Sequence, residues 1–269
     1  MRLDPAQSFD RRDLSGPFDI IGDVHGCIDE LCELLAGLGY DVKWSWAGGT
    51  RSPDISAAPD RTVVFVGDLV DRGPGSRDVV ALVMRMCAAG LALCVPGNHD
   101  LKFRKWLDGH HVSITHGLAA TVADFEPMAA QDRVVVSQFI RALPPYLWLD
   151  DGRLVVAHAG IKGDMIGQTS HKIENFCLYG DTDNGKTPNG LPIRYNWAVR
   201  YNGEPLVVYG HVCVEQPEWV NGTVCIDTGC CFGGSLTALR YPERDTISVP
   251  ARRTYVARDG GFGLPPARG

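Results

Sequence analysis

The segment Arg61–Gly73, R-T-V-V-F-V-G-D-L-V-D-R-G, narrows the possible folds more than any other stretch of this 269-residue chain. Thr62 to Val66 is short, apolar and rich in β-branched residues, the composition of a strand buried on both faces. It breaks at Gly67 and then releases Asp68, Asp71 and Arg72 within five positions. Charges at the end of a buried strand are costly unless they pair or coordinate something. An Asp71–Arg72 salt bridge would satisfy two of them. It would not explain why the same pattern returns along the chain.

The recurrence is clear when the chain is taken in order. Phe18–Ile21 is an apolar strand that ends in Gly22-Asp23-Val24-His25-Gly26. A helix follows, with Ile28, Leu31, Cys32, Leu35 and Leu38 on one face and Gly39 as its stop. Tyr40 to Asp60 has no period and reads as a surface excursion. After Asp68 and Asp71, Gly73-Pro74-Gly75 leads into a helix with a core face of Val79, Leu82, Val83, Met86 and Cys87. Leu91–Val95 is a third strand and closes on Asn98-His99-Asp100, with a helix expected over Leu101–Leu107 and another over Asp132–Leu143, the latter facing inward through Val135, Phe139, Ile140 and Leu143. Later strands at Leu154–Ala157, Leu206–Tyr209, Thr223–Ile226 and Leu236–Leu239 lead into His158, His211, Asp227 and a polar stretch. The intervening 161–205 is long and irregular, the mark of a functional covering loop. Residues 1–17 read as a polar lead-in, 18–251 as one domain and 252–269 as a loosely held tail. The βαβα opening predicts parallel strands with helices outside, and the later strands predict a second, mixed sheet packed against the first: an α/β fold.

One strand end after another therefore presents Asp23 with His25, Asp68 with Asp71 and Arg72, Asn98 with His99, His158, His211 and Asp227. Ligands of open α/β folds bind beyond the carboxyl ends of the strands, so these groups can converge on one crevice. Carboxylates, imidazoles and one amide form a donor set suited to Mn²⁺, Fe or Zn²⁺, with no thiolate among them. Taken singly, an Asp or His beside Gly is usually a turn residue, and Asp227 alone would pass for an Asx-turn. Taken together they point to a metal centre. His116 and His171 end no apolar strand and read as surface or loop residues. Lys102, Arg104 and Lys105 could meet a phosphate backbone, but a solvated helix face explains them as well.

Composition sets the outer limits. Hydrophobic residues make up 45% and charged residues 22%, with a net charge of −6, which argues against a protein that coats nucleic acid through bulk electrostatics. Nine scattered cysteines without a CxxC pair read as reduced, buried small side chains of a cytoplasmic protein. Met1 to Arg12 is polar, so no signal peptide is expected, and no apolar run is long enough to span a membrane. Gly180–Thr187 matches a P-loop pattern, yet Pro188-Asn189-Gly190 follows where a helix should open, and two aspartates occupy the would-be cradle. It reads as a loop, and ATPase or kinase activity is excluded.

The ordered blocks Gly-Asp-Val-His-Gly, Gly-Asp-Leu-Val-Asp-Arg-Gly, Gly-Asn-His-Asp, His-Ala-Gly and Gly-His resemble the phosphoprotein-phosphatase branch of the binuclear, calcineurin-like metallophosphoesterases. More narrowly, Phe18 to Ala251 resembles the phosphatase domain of bacterial polynucleotide kinase-phosphatase, through Gly190–Trp197, Ile226–Cys230 and Thr237–Glu243 among other stretches. The kinase and ligase modules of that enzyme have no counterpart here, and Val212-Cys213 stands where relatives commonly carry Thr-Pro. The resemblance implies two mixed sheets packed face to face, with two divalent cations, Mn²⁺ first and Fe, Zn²⁺, Ni²⁺ or Co²⁺ as alternatives. It implies Asp23 and His25 on one cation, Asn98, His158 and His211 on the other, and Asp68 between them. It further implies His99 as general acid oriented by Asp71, Arg72 as phosphate clamp, and Arg194 and Asp227 near the substrate. The expected reaction is phosphoester hydrolysis by metal-activated hydroxide, at 3′-phosphate or 2′,3′-cyclic ends of RNA or DNA, as in nucleic-acid repair. Dinucleoside polyphosphate hydrolysis and protein serine/threonine dephosphorylation are the alternatives within enzymes, and a catalytically silent binding module is the alternative of a different class.

Overall fold

Alternation within each short strand decides the architecture. Phe18 and Ile20 turn to one side of their strand and Ile21 to the other, and Val64 and Val66 part from Val63 and Phe65 in the same way. Leu154 and Val156 likewise part from Val155 and Ala157, as Leu206 and Val208 do from Val207 and Tyr209. Strands with two apolar faces need a packed layer on each side. The computed structural model, which describes residues 8–47, 50–56, 60–187, 192–258 and 260–268, supplies those layers as two sheets face to face with helices outside.

The first sheet is five-stranded, in the order Thr246–Pro250, Ser235–Tyr241, Phe18–Ile21, Thr62–Phe65 and Ala92–Cys94. Its last three strands are parallel, and Ser235–Tyr241 runs antiparallel to Phe18–Ile21. The second is six-stranded, in the order Asp10–Arg11, Leu147–Leu149, Leu154–Val156, Leu206–Tyr209, Thr223–Cys225 and Glu218–Val220. Here Leu154–Val156, Leu206–Tyr209 and Thr223–Cys225 are the parallel set. Register matters for function. Ile21 lies opposite Phe65 and Phe65 opposite Cys94, so the three loops that carry Asp23, Asp68 and Asn98 leave the first sheet at one level.

Between the sheets lies an apolar layer in which Phe18, Ile20, Val64 and Leu93 meet Leu149, Val156, Val208 and Ile226. Helices Ile28–Gly37, Ser76–Ala88, Asn98–Leu107, Leu118–Phe125 and Ala130–Ala142 pack on the outer face of the first sheet. Helix His171–Tyr179 covers the second through Ile173, Phe176 and Cys177. All nine cysteines are free thiols, seven of them buried. Among the described residues no helix is long and apolar enough to cross a membrane.

Several expectations change. The excursion after Tyr40 is a two-stranded antiparallel hairpin, Asp41–Ala47 with Thr50–Ser56, in which Pro53 sits opposite Trp44. A proline fits there because a two-stranded ribbon leaves an edge that needs no donor. Residues 48–49 and 57–59 lie outside the described residues. The described residues of 161–205 include helix His171–Tyr179, N-capped by Ser170, and the hairpin Asp181–Lys186 with Pro192–Tyr195. His171 therefore opens a helix rather than sitting in a loop. The P-loop look-alike is a strand of that hairpin, and its Asp183 accepts from Gly185 N and Tyr195 OH instead of leaving a phosphate cradle. Its continuation, 188–191, is outside the described residues. Strand Asp10–Arg11 falls within the expected lead-in and pairs with Leu147–Leu149. In helix Ala130–Ala142 the buried stripe runs through Val136, Phe139 and Ile140, while Val135 is exposed. The residues after Val256 are not loose either, since Gly263 N donates to Cys213 O at 2.8 Å and Asn196 N to Pro266 O at 2.9 Å.

Ile20 is fully buried between the sheets. Ile20→Ala is expected to lower stability by about 2–5 kcal/mol, through lost transfer energy and the cavity left behind. Urea denaturation should show a lower midpoint at unchanged slope.

Candidate metal centre

The loops leaving the strands are bent into costly backbone. His25, Asp68, Asp71, Arg72 and His211 all adopt positive φ, between 46° and 73°, a region that L side chains other than Asn and Asp seldom visit. Such strain persists only where surrounding contacts over-determine it, and it clusters at functional sites. Close approach of loops adds to the determination. A Cβ on Gly97 would lie 2.0 Å from Asp68 Oδ1, and one on Gly210 would lie 1.9 Å from Asp23 Oδ1. Glycine at these two positions lets neighbouring loops bring their carboxylates together. Asp100, fully buried, clips the Asp68 and Asn98 loops to each other by accepting from Leu69 N at 2.9 Å and Gly97 N at 2.8 Å.

Asp68 stands at the centre. Its Oδ2 is 3.4 Å from His25 Nε2, and its Oδ1 is 3.6 Å from His158 Nε2. His25 and His158 each turn Nδ1 toward a backbone carbonyl, Val70 O at 2.9 Å and Val66 O at 3.0 Å. Those carbonyls can only accept, so both imidazoles carry their proton on Nδ1 and aim an Nε2 lone pair inward. His158 Nε2 also lies 3.2 Å from Asn98 Oδ1 and 3.1 Å from His211 Nδ1. The His211 amide donates to both oxygens of Asp23, and its Nε2 is buried without a partner. Asp227 lies against the same cluster. It forms the Asx-turn that the sequence allows, accepting from Gly229 N at 3.0 Å, while its other oxygen takes the Cys213 thiol at 3.2 Å.

The result is a buried gathering of acceptors with too few donors. Burial, and then the charges of Asp227 and Asp68, hold the Asp23 carboxyl well above the usual range. Burial with the nearby Asp68 pushes Asp100 up to about 8. For Asp68 burial acts upward too, but the positive surroundings, with the permanently charged Arg72 among them, outweigh it and hold the carboxyl below its usual range. Burial drives His25, His158 and His211 down, so they are neutral and available as ligands. Lone pairs and carboxylates converging without protons between them are what divalent cations neutralise, and the O/N donor set fits borderline metals. The residues present therefore fit two cations on either side of Asp68.

A second set of groups stands beside them. His99 Nδ1 meets Asp71 Oδ2 at 2.7 Å, and its Nε2 meets the Arg72 guanidinium at 2.9 Å. The other Arg72 terminal nitrogen is 2.5 Å from His25 Nε2. Asp71 pairs with His99 and not with Arg72, which disposes of the simple salt bridge. Thr121, which sequence reasoning missed, donates to Asp71 Oδ1 at 2.7 Å, and Asp71 N meets both Thr121 and Ser76 hydroxyls. No motif marks Thr121; it comes from a helix fifty residues downstream. Arg194, on the hairpin, has a buried Nε without a partner and lines a crevice with His211 and Tyr179. Lys102 and Arg104 are used locally, by Thr115 and Asp108, and His116 is an exposed loop residue.

The comparisons with known proteins agree with this geometry. The family model for calcineurin-like phosphoesterases matches residues 16–238. The chain belongs to that family. Its members use binuclear metal centres. A bis(5'-nucleosyl)-tetraphosphatase PrpE [asymmetrical] of Anoxybacillus flavithermus is 46% identical over 245 residues, 89% of this chain and 96% of the relative. A crystal structure provisionally assigned as a diadenosine tetraphosphatase superposes with a TM-score of 0.62 at 26% identity, over 90% of this chain and 96% of that one. A serine/threonine phosphatase from Saccharomyces cerevisiae with similarity to human PP5 shares the fold, with a TM-score of 0.59 at 15% identity over 96% of this chain and 87% of that one. The narrower resemblance to polynucleotide kinase-phosphatase finds no support among these relatives; the name of the PrpE relative matches the dinucleoside polyphosphate alternative instead.

Asp68→Ala should remove bound Mn²⁺ and turnover together, each by more than about a hundredfold. Calorimetric Mn²⁺ titration alongside hydrolysis of an aryl phosphate checks it, with circular dichroism confirming the fold. Wild-type Mn²⁺ affinity in this variant would overturn the central position of Asp68.

Proposed function

We propose that this protein hydrolyses dinucleoside tetraphosphates asymmetrically, giving a nucleoside triphosphate and a nucleoside monophosphate. The reaction class is supported by one juxtaposition above all: His99, held by Asp71, and Arg72 lie beside the paired clusters around Asp68. The substrate class is supported by the relatives named as tetraphosphatases, at 46% identity over nearly their whole length for the one described above.

In this reading Asp23, His25 and Asp68 would hold one cation, and Asp68, Asn98, His158 and His211 would hold the other. When bound, the pair supplies Lewis-acid stabilisation of phosphoryl charge and a water acidic enough to react near neutral pH. The remaining work belongs to side chains. Arg72 donates to the His99 imidazole, and its other terminal nitrogen lies against His25 Nε2, whose lone pair a bound cation would claim. A phosphoryl group that takes over those N–H groups gains a forked cationic clamp, and frees His99 Nε2 to face the leaving oxygen. The buried Asp71 carboxylate, fixed by Thr121 and Ser76, holds the His99 ring by Nδ1, so that a proton carried on Nε2 is aimed at the leaving oxygen. As the water oxygen bonds to phosphorus and the bridging P–O bond breaks, that proton passes to the departing phosphate.

Two measurements test the reading. A panel on Mn²⁺-loaded protein should rank diadenosine tetraphosphate above a 3′-phosphate oligonucleotide, a 2′,3′-cyclic nucleotide and a phosphoserine peptide, with ATP and AMP as products. Two molecules of ADP would exclude asymmetrical cleavage, and preference for the 3′-phosphate would restore the repair reading. His99→Ala should cost about 10²–10⁴ in rate for alkyl phosphates, whose leaving groups need a proton, and far less for nitrophenyl phosphate. Equal losses on both would remove His99 from the general-acid role.

A further inference from the structure

The C-terminal stretch begins at an anchor and ends at one. Tyr255 OH and Arg252 N both bond Glu30, Tyr255 N and Val256 N donate to Cys231 O, and Gly263 N donates to Cys213 O. Further on, Arg268 reaches Asp181 of the hairpin at 3.1 Å, and Leu264 and Pro265 line the crevice that holds Arg194 and His211. The stretch is thus a strap laid from the first helix, past the loops of Cys231 and Cys213, to the hairpin. It carries Arg258 over the ring of Phe232, with the guanidinium carbon 5.3 Å from the ring centroid. Arg72, the clamp beside the metal centre, lies over the same ring at 4.9 Å. Phe262, also on the strap, flanks Arg258 at 5.0 Å.

Arg72, Arg194 and Arg258 share an omission. Among the described residues, none of them forms a salt bridge with a carboxylate, whereas Arg252 and Arg268 of the same strap do. Arg194 keeps a buried Nε without a partner among the described residues, and it lines one crevice with His211 and with Leu264 and Pro265 of the strap. Cations gathered without partners are unfavourable unless an anion joins them. Arg72 suffices for the phosphoryl group under attack. The other two guanidiniums ask for more negative charge than one phosphate carries.

We infer that Arg258 on the C-terminal strap, with Arg194 on the hairpin, forms a polyphosphate subsite that binds the phosphates of the substrate beyond the one attacked. Aromatic flanking fixes the plane of Arg258, so its donors are held ready for phosphate oxygens rather than for solvent. The inference rests on the dinucleoside polyphosphate reading, but it has a readout of its own: affinity for a bare phosphate chain.

The experiment compares wild type, Arg258→Ala and Arg253→Ala, the last removing an exposed cation of the same strap that lies over Tyr255. Tripolyphosphate binding is measured by calorimetry on Mn²⁺-loaded protein, and steady-state constants are measured for diadenosine tetraphosphate and nitrophenyl phosphate. Arg258→Ala should weaken tripolyphosphate and raise KM for the tetraphosphate about tenfold or more, with kcat and nitrophenyl phosphate turnover within about twofold. Arg253→Ala should change none of these. Equal losses in both variants would reduce the effect to general charge, and an indifferent Arg258→Ala would remove the subsite; either overturns the inference. If diadenosine tetraphosphate is not cleaved at all while Arg258→Ala still weakens tripolyphosphate, the subsite stands and only the substrate reading falls.

Discussion

A shortage of hydrogen-bond donors around Asp68 is the constraint on which the rest of the structure depends. The imidazole lone pair of His158, the oxygens of Asp68 and the amide oxygen of Asn98 are pressed together inside a protein interior, where acceptors that outnumber their donors are expensive. The fold could have relieved this with a lysine or a ring of hydroxyls. Instead the protons facing away from the centre are used to fix the arrangement: Val70 O and Val66 O claim the Nδ1 protons, and Asp100 claims two loop amides. The protein bears the cost in strained backbone at His25, Asp68, Asp71, Arg72 and His211.

What could be read in advance follows from the same physics. Strands buried on both faces have a composition that no exposed element shares, and their sudden termination in Asp, His or Asn is visible as a break in hydropathy. Asp23, His25, Asp68, Asn98, His158 and His211 were therefore legible, as was a two-sheet α/β fold around them. Arg194 was placed by its likeness to a family stretch and proves to border the same crevice.

Elements held by context were not legible. The hairpin Asp41–Ala47 with Thr50–Ser56 does carry a two-residue period in Val42, Trp44 and Trp46, but Gly48-Gly49, Pro53 and Pro59 nearby make the stretch read as a loop. Asp181–Lys186 is entirely polar or glycine, and its strand state comes from pairing with Pro192–Tyr195. Thr121 and Asp100 act through single hydrogen bonds to distant loops, and a sequence records no such partnership. The strap after Val256 looked loose because its Gly and Pro content lacks any regular pattern. Its anchors, Glu30 and Cys213, are more than forty residues away in the chain, which places them out of reach of local reading.

The division of the site between the two sheets carries one more consequence. Asp23, His25, Asp68 and Asn98 ride on the first sheet, whereas His158, His211 and Asp227 ride on the second. The centre is thus a vernier for the alignment of two slabs, and a slip far smaller than one residue step would part its halves. Alignment is governed by a greasy interface of Ile20, Val64, Leu154 and Val208, none of which touches a phosphate. Adaptation of such an enzyme to heat or cold has its natural lever there, in how firmly the slabs are keyed, and the chemical groups themselves can stay unchanged.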